Sequence, residues 1–500
     1  MKTNLISLTT LSLIGVSAGI SGCDKSPEPP PPNILYIFTD DQTFRTVSAY
    51  PGSYEYVNTP NLDRLAEEGM LFMSAYPGSW SMPSRATALT GLHQHGIESL
   101  RMSGEYPRNI YNPDSLRFWP SVFRENGYYT GIIGKWHTGS YDDGAGRDWD
   151  YSAVWNHAAG DRGWYYLDQR ISFNGEDPVE VGGYSTDNYT NWAVDFINER
   201  SENKDQPWYL WLCYDAVHNN YATAERHLNE YEDVLPVPVP ADIFPPRPDK
   251  PSYMVNYTVW EEDEEGVPTF RGVQFDDFIR KYNRCVLPVD EGVGKLLKTL
   301  ESTGQLDNTM IVFTSDQGYA IGQHGFKWKY GPYDANLKAP LIVRWPGKID
   351  PGQVCEHPVG GPDLIVSFFA AAGIDLPWKM HGHDIGPLFE NPDYNWEHPL
   401  LLMNFQRLYG EDTNKGIYPD WNGVPPWIFL IEGKYKYIRT LADDEIEELY
   451  DLENDPEELT NLALFSDHKV LLEEMRQKLI DELIRTDSKF VDKLPALKTM

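Results

Sequence analysis

The chain has 500 residues, of which 75 are acidic and 42 basic, so its formal net charge is −33. This balance argues against nucleic-acid binding, because phosphate contacts require clustered Lys and Arg. It also argues against docking on an anionic membrane surface through a basic patch. Apolar residues make up 41% of the sequence, which is enough for a large core, and the length predicts more than one structural unit.

The first 32 residues predict export and anchoring. Residues 1–22 hold one base, Lys2, and an apolar stretch that is too short for a membrane span, as in a signal peptide. The stretch ends in Ile20-Ser21-Gly22-Cys23, which resembles a bacterial lipobox and implies cleavage before Cys23 and a lipid on its sulfur. A plain secretory signal is the alternative. Residues 23–32 then form a Pro-rich tether, so we expect a lipid-anchored protein of the bacterial cell envelope, at the outer membrane.

Apolar strands and helices alternate along residues 33–390. Runs typical of strands buried on both faces are Asn33–Thr39, Tyr128–Ile133, Trp208–Tyr214, Met310–Thr314 and Leu341–Val343. Helical patterns lie between them at Pro60–Gly69, Trp119–Gly127, Asn191–Glu199 and Val293–Ser302. This order predicts an α/β fold with a large, mostly parallel sheet flanked by helices. Segment 140–185 is weakly periodic, and we interpret it as an insertion or long loop.

Residues 391–500 have a different pattern and predict a smaller C-terminal α+β subdomain. Three short strands are expected at Trp427–Ile431, Lys434–Ile438 and Glu448–Leu452, with a turn at Glu432-Gly433 between the first two. Their close spacing predicts an antiparallel sheet. An amphipathic stretch at Lys469–Thr486 predicts a helix after it.

The remaining cysteines, Cys213, Cys285 and Cys355, allow at most one disulfide and leave one thiol over. Their spacing contains no CxxC pattern, which argues against a zinc site.

Polar residues of a consistent kind follow four of the predicted strands. They are Asp40-Asp41-Gln42, Gly134-Lys135-Trp136-His137, Asp215-Ala216-Val217-His218 and Ser315-Asp316-Gln317-Gly318. Ligands bind beyond the carboxyl ends of strands in open α/β sheets. Asp40, Asp41 and Asp316 offer oxygen ligands, which suit Ca²⁺ or Mg²⁺ rather than zinc. Taken singly, each Asp could be a helix cap or a turn former, and a lone His is more often structural than catalytic.

One motif favours the functional interpretation. Ser81-Met82-Pro83-Ser84-Arg85, continued to Thr90-Gly91, resembles the signature of the formylglycine-dependent sulfatases, which belong to the alkaline-phosphatase-like superfamily. An ordinary helix N-cap is the alternative for a Ser near a Pro in a first helical turn. The resemblance implies that a formylglycine-generating enzyme oxidises Ser81 to an aldehyde.

The resemblance extends over most of the chain after residue 32. The further matching segments are Asn33–Gln42, Thr59–Gly69, Gly134–His137, Asp316–Gly318, Gly322–Gly325 with Lys329, and Glu448–Leu462. Two positions depart from the family pattern: Gln317 stands where Asn or His is usual, and His218 lacks the usual preceding Pro. Lys327 competes with Lys329 for the role of sulfate-binding lysine, and Lys329 has the better offset from Asp316.

The family mechanism implies a role for each matched residue. The metal ligands would be Asp40, Asp41, Ser81, Asp316 and Gln317, and the metal would be Ca²⁺, with Mg²⁺ as the alternative. Arg85, Lys135 and Lys329 would neutralise sulfate oxygens. One hydroxyl of the hydrated aldehyde would attack sulfur. His218 would protonate the leaving alcohol, and His137 would take the proton that releases sulfate.

A sulfated carbohydrate is the expected substrate, such as an oligosaccharide of ulvan, carrageenan or a glycosaminoglycan. The residues that could line sugar subsites are Trp80, Trp155, His157, Arg162 and Trp164, although packing of the insertion would explain most of them equally well. Two alternatives stay open. One is a phosphodiesterase or phosphonate hydrolase of the same superfamily, and the other is a non-catalytic glycan-binding lipoprotein with this fold.

Overall fold

The computed structural model describes residues 30–98, 116–138, 149–156, 165–416, 418, 420 and 422–498. The strands of its main sheet are β1 (Asn33–Thr39), β2 (Met70–Tyr76), β3 (Tyr129–Lys135), β4 (Tyr151–Trp155), β5 (Leu167–Phe173), β6 (Val179–Tyr184), β7 (Trp208–Cys213), β11 (Thr309–Ser315), β12 (Leu341–Arg344) and β13 (Gln353–Gly360). The short strands β8 (Glu261–Glu262), β9 (Pro268–Phe270) and β10 (Val273–Gln274) form a second sheet. A third sheet contains β14 (Leu400–Asn404), β15 (Trp427–Glu432), β16 (Tyr435–Thr440) and β17 (Glu448–Asp451).

Eleven α-helices occur among the described residues. They are α1 (Pro60–Glu67), α2 (Ser81–Thr90), α3 (Pro120–Glu125), α4 (Ser185–Arg200), α5 (Ser252–Val255), α6 (Phe275–Arg284), α7 (Leu287–Ser302), α8 (Asp334–Leu337), α9 (Gly361–Ala372), α10 (Gly386–Glu390) and α11 (Lys469–Arg485). Within this part of the chain no helix is long and apolar enough to cross a bilayer.

The main sheet has ten strands in the order β13-β2-β12-β11-β1-β7-β3-β4-β5-β6. Its centre is parallel, because β1 pairs in parallel with both β11 and β7, and β3 pairs in parallel with β7 and β4. The antiparallel strand β12 lies between β11 and β2, and β5 and β6 extend the other side in antiparallel fashion. The prediction of a large α/β sheet with mostly parallel pairing is confirmed.

Strand β1 shows why this sheet has helices on both faces. Its seven residues are all buried, so both of its faces pack against apolar groups. Leu35 and Ile37 point into one core, which contains α1, α4, α6 and α7. The alternate residues Ile34, Tyr36 and Phe38 point into the opposite core, which contains α2, α3 and α9. A strand that is buried on both faces needs apolar residues at successive positions, and the sequence of β1 has them from Ile34 to Phe38.

The C-terminal sheet is antiparallel and pairs in the order β14-β15-β16-β17, so this prediction is also confirmed. One face packs against α11 through residues such as Leu479 and Leu483. The other face packs against side chains from the preceding part of the chain, which include Tyr76 and Phe326. The division of the chain at residue 390 stays a prediction, because residues 31–500 form one compact unit.

Segment 140–185 is not a long loop where the structure describes it. Residues 151–155 form β4, and β5 and β6 follow, with β6 at the edge of the sheet. The pattern gave little sign of them because most side chains of β6 are exposed or half-buried, so no apolar face repeats along the strand. Cys213, Cys285 and Cys355 are free, buried thiols, which leaves no disulfide among the three. The predicted signal peptide of residues 1–22 and the lipidated Cys23 lie outside the described residues.

Candidate active site

The register of the central strands brings four polar strand ends to one edge of the sheet. Thr39 of β1 lies opposite Ser315 of β11, and Phe38 lies opposite Cys213 of β7. Cys213 in turn pairs with Gly134 of β3. The residues that follow these positions in sequence therefore converge at the carboxyl edge, as expected from the strand order. Backbone bonds fix the loops: the amide of Asp40 donates to the carbonyl of Ala216 at 2.9 Å.

Gly134 allows the end of β3 to approach β7 closely. Its φ is +103°, and a Cβ at this position would lie 1.9 Å from the carbonyl oxygen of Cys213. The next residue, Lys135, has a fully buried side chain whose ammonium contacts Oδ2 of Asp40. The close approach at Gly134 thus places the Lys135 ammonium against the Asp40 carboxylate at the end of β1.

Ser81 lies at the start of α2, a helix whose ten residues are all buried. Its hydroxyl donates to Oδ1 of Asp40 at 3.1 Å and accepts from Nζ of Lys329 at 2.9 Å. One turn further along α2, Arg85 donates to the carbonyl of Lys135 at 2.9 Å and approaches Oδ2 of Asp40 at 3.4 Å. Ser81 and Arg85, the first and last residues of the signature core, therefore both face the Asp40 carboxylate.

The other two carboxylates lie beside this group. Oδ1 of Asp41 accepts from Lys329 at 2.5 Å and from the side-chain amide of Gln317. Oδ1 of Asp316 accepts the backbone amides of Asp41 and Gln317, at 2.8 and 3.0 Å. Asp316 thereby ties the loop after β11 to the loop after β1.

Burial and crowding set the charges of these groups. Burial alone would raise the pKa of Asp40, but Lys135, His218 and Arg85 hold it well below its ordinary value. Burial and the neighbouring carboxylates Asp40 and Asp41 raise the pKa of Asp316 well above its ordinary value. Three acids at one buried position favour protonation of at least one of them unless a further positive charge is added.

The arrangement fits a hard divalent cation. Single ligand atoms of Asp40, Asp41 and His218 lie within 4.8 Å of one another. Oδ2 of Asp316 and Oε1 of Gln317 are buried, and neither has a hydrogen-bond donor among the residues that the structure describes. Buried oxygens of this kind normally have a partner. Carboxylate and amide oxygens of this kind suit Ca²⁺ or Mg²⁺.

His218 is held beside the carboxylates by an aromatic ring. Its Nε2 lies 3.6 Å from Oδ2 of Asp41, and its imidazole stacks on Tyr165 with ring centroids 4.3 Å apart and planes 1° apart. The Lys135 ammonium lies 5.0 Å from the centroid of the same Tyr165 ring. His137 is buried two residues beyond Lys135, with a left-handed φ of 54°. The structure therefore places both predicted histidines at this edge of the sheet.

The proposed sugar-binding residues separate into two groups. Trp80 is buried against Tyr330, at 5.7 Å between ring centroids. Trp155 is fully buried and packs edge-on against Tyr165, so it supports the ring beneath His218 rather than offering a free face to solvent. His157, Arg162 and Trp164 lie outside the described residues.

Two supporting tyrosines did not emerge from the sequence. Tyr165 stacks on His218, and the hydroxyl of Tyr282 on α6 donates to the carbonyl of Asp41 at 2.5 Å. The Trp-Tyr-Tyr run at residues 164–166 was a signal for the first, because it stands out in a weakly periodic segment. Tyr282 is one of several apolar-face positions on α6, and no local pattern distinguishes it from a core residue.

Comparison with known proteins agrees with this geometry. A family model described as Sulfatase matches residues 32–374, and one described as the C-terminal part of N-sulphoglucosamine sulphohydrolase matches residues 322–485. An N-acetylglucosamine-6-O-sulfatase of Bacteroides thetaiotaomicron is 28% identical over 96% of this chain and 91% of its own length. A ulvan-active sulfatase of Formosa agariphila is 25% identical over 96% of this chain and 86% of its own length.

A solved structure in complex with its substrate D-glucosamine-2-N,6-O-disulfate has a TM-score of 0.77 to this chain. The two are 25% identical, and the match covers 92% of this chain and 99% of that chain. The sulfatase model spans both helix α2 and the carboxylates of Asp40, Asp41 and Asp316. The chain therefore belongs to the sulfatase family and is a sulfuric ester hydrolase.

Proposed function

We propose that this protein removes sulfate esters from a sulfated carbohydrate, with a formylglycine formed from Ser81 as its nucleophile. The observation that carries the proposal is the position of the Ser81 hydroxyl. It lies between the Asp40 carboxylate, at 3.1 Å, and the Lys329 ammonium, at 2.9 Å, at the buried start of a helix. An ordinary helix cap would instead bond to backbone amides of its own first turn, and the N-terminal residues of α2 have no such side-chain cap.

Two groups would complete the site. A divalent cation, Ca²⁺ or alternatively Mg²⁺, would be held by Asp40, Asp41, Asp316 and Gln317, together with the modified residue 81, and would supply Lewis-acid neutralisation of sulfate oxygens. The aldehyde would supply, as its hydrate, a better nucleophile than a serine hydroxyl. The buried oxygens of Asp316 and Gln317 that accept no hydrogen bond from a described residue support the first of these, and the signature from Ser81 to Arg85 supports the second.

The remaining roles belong to side chains of the chain itself. Arg85 and Lys135 are fully buried cations that would bind and orient the sulfate oxygens, and Lys329 would bind a sulfate oxygen beside residue 81. His218, clamped by Tyr165, would hold the proton that passes to the leaving alcohol oxygen. His137 would accept the proton whose removal releases sulfate and restores the resting site.

For the substrate we propose a 6-O-sulfated glucosamine residue of an oligosaccharide. The support comes from the N-acetylglucosamine-6-O-sulfatase relative and from the similar structure that holds a glucosamine disulfate. The ulvan-active relative favours an algal polysaccharide as the second candidate. We also propose that the signal and lipobox of residues 1–23 anchor the enzyme to the bacterial cell envelope, with the catalytic unit carried on the Pro-rich tether.

Peptide mass spectrometry across Ser81, on protein from a host that modifies sulfatases, tests the nucleophile. A loss of two hydrogens relative to serine is expected, and unmodified serine would favour the glycan-binding alternative. Ser81→Ala should lower turnover of a sulfate ester by roughly a thousandfold or more while the protein stays folded. Ser79→Ala is the matched control, because Ser79 is equally buried and forms no hydrogen bond to a described residue.

The choice of ester needs its own experiment. Wild-type protein should hydrolyse 4-nitrophenyl sulfate faster than 4-nitrophenyl phosphate or phenylphosphonate. A preference for the phosphorus esters would contradict the proposal and favour the hydrolase of the same superfamily. A screen of N-acetylglucosamine 6-sulfate against sulfated ulvan and carrageenan oligosaccharides then decides the sugar.

A further inference from the structure

Lys327 is a buried cation that the reaction described above does not use. Lys327 is only 3% exposed to solvent. The ammonium lies 4.4 Å from the ring centroid of Phe270 and 4.8 Å from that of Phe278, and 5.8 Å from those of Tyr221 and Trp328. Four rings around an ammonium form an aromatic cage, which favours the charged group over a neutral one.

The cage contains no carboxylate. Among the described residues, Lys327 forms no ion pair or hydrogen bond, whereas Lys135 and Lys329 each contact an aspartate. Burial first, and then the charge of Arg271, lower the pKa of Lys327 to about 8, and Asp41 opposes this shift. A buried cation without an anion is costly, so chains seldom retain one without a partner.

The cage lies beside the candidate active site. Tyr221, one of its walls, follows His218 by three residues, and its hydroxyl donates to the hydroxyl of Tyr319 at 3.1 Å. Tyr319 follows Asp316 by three residues. Lys327 itself precedes the Ser81-binding Lys329 by two residues. The segments that follow β7 and β11 therefore contribute to both the reaction centre and the cage, and β9 and α6 supply the other two rings, Phe270 and Phe278.

A second cation shares one of the rings. The guanidinium of Arg271 lies 5.2 Å from the centroid of Phe270, and Arg271 is exposed where Lys327 is buried. We propose that Lys327, assisted by Arg271, binds a second anionic group of the substrate, a sulfate or a carboxylate carried on the same sugar chain as the ester that is hydrolysed. This inference rests on the proposed function and adds to it that the preferred substrate is a polyanion.

The test compares kcat/KM within two substrate pairs, for wild type, Lys327→Met and Lys348→Met. One pair is glucosamine 2-N,6-O-disulfate and N-acetylglucosamine 6-sulfate. The other is a uronate-containing 6-O-sulfated disaccharide and its carboxyl-reduced form. Methionine fills the cage without the charge, and Lys348 is a half-exposed surface lysine that controls for the loss of one positive charge.

We expect Lys327→Met to lower the preference for the more anionic member by about tenfold to a hundredfold in one pair, the range of a charge-assisted hydrogen bond. The affected pair tells whether the group is a sulfate or a carboxylate. Lys348→Met should keep the wild-type preference. An equal loss on both members of both pairs, or an unchanged preference in both pairs, would overturn the inference.

Two further measurements keep the outcome clear. Arg271→Gln, at an exposed position, should lower the preference for the more anionic substrate by a smaller factor. If Lys327→Met does not fold, the result for Arg271→Gln tests the inference in its place. If the wild type hydrolyses none of the four compounds, the proposed function fails. Calorimetric titration with the same compounds then tests the inference separately, since Lys327→Met should weaken binding of the more anionic member only.

Discussion

A cluster of four histidines near the C-terminal helix α11, of which His383 is half-buried and the other three are buried, should make the stability of the enzyme depend on pH. His93 and His95 follow α2, and His381 and His383 precede α10. The His381 ring lies 5.4 Å from that of His93 and 5.0 Å from that of His95, and Nδ1 of His381 accepts the backbone amide of His93 at 3.0 Å. Burial, and then the charges of His93, His95 and Arg485, hold the pKa of His381 far below its ordinary value of 6.5.

The sign and size of the effect follow from this depressed pKa. A histidine that stays neutral in the folded protein, but has its ordinary pKa in the unfolded chain, binds more protons in the unfolded state. The free energy of unfolding therefore falls as the pH drops below about 6.5. At pH 5 the cost is about 2 kcal/mol for His381 alone, at 1.36 kcal/mol per pH unit, and at pH 8 it is close to zero. Asp487 and Asp363 lie near the cluster. Asp363 opposes the trend, because burial raises its pKa to about 6.

The variant His381→Asn isolates this one contribution, because an asparagine oxygen can accept the His93 amide in place of Nδ1. Urea unfolding gives the free energy of unfolding of both proteins at pH 8 and at pH 5. Relative to the wild type, the variant should be about 2 kcal/mol more stable at pH 5 than it is at pH 8. Thr486→Val is the control, since it removes the partner of His95 at 3.2 Å and no titrating group. A difference between variant and wild type that is the same at both pH values would refute the reasoning.

Two predictions concern the reaction centre. Calcium at a hundred times its Kd should stabilise the enzyme by about 2.7 kcal/mol over EDTA-treated protein. This is a Tm rise of about 3 °C for roughly 470 residues. Asp316→Asn should lose most of this rise in differential scanning fluorimetry, and an undiminished rise would place the ion elsewhere. Tyr165→Leu removes the ring that stacks on His218 and should lower kcat/KM for 4-nitrophenyl sulfate about tenfold. Tyr165→Phe should keep the stack and most of the activity. Equal activity of the two variants would show that the stack does not position His218.

The central part of the fold could be predicted because buried parallel strands leave a strong pattern. β1 and β7 are apolar at nearly every position, and each run ends in the polar residues that form the site. β6 left a weak pattern for the opposite reason, because it exposes most of its side chains. The run at residues 341–343 predicted β12, but the antiparallel pairing of this strand between β2 and β11 depends on contacts distant in sequence.

The candidate site was predictable as a set of residue types but not as a set of contacts. Asp40, Arg85 and Lys135 were identified from strand ends and from the signature, yet their meeting point depends on the register of β1 and β3 against β7. Tyr165 was missed because its role arises only from stacking on His218, which lies 53 positions later in the chain. A side chain that acts by shape leaves less trace in a sequence than one that acts by charge.

The charges of the site change what the net charge of −33 implies about substrates. As ions, the carboxylates of Asp40, Asp41 and Asp316 balance the cations of Arg85, Lys135 and Lys329, so these six groups alone offer a sulfate ester no net attraction. A divalent cation would add two positive charges at the point where the three acids converge. The acidic exterior acts over a range of only about 8 Å at physiological ionic strength. Affinity for sulfate should therefore follow the occupancy of the cation site, while the surface charge mainly slows the approach of polyanionic substrates at low salt.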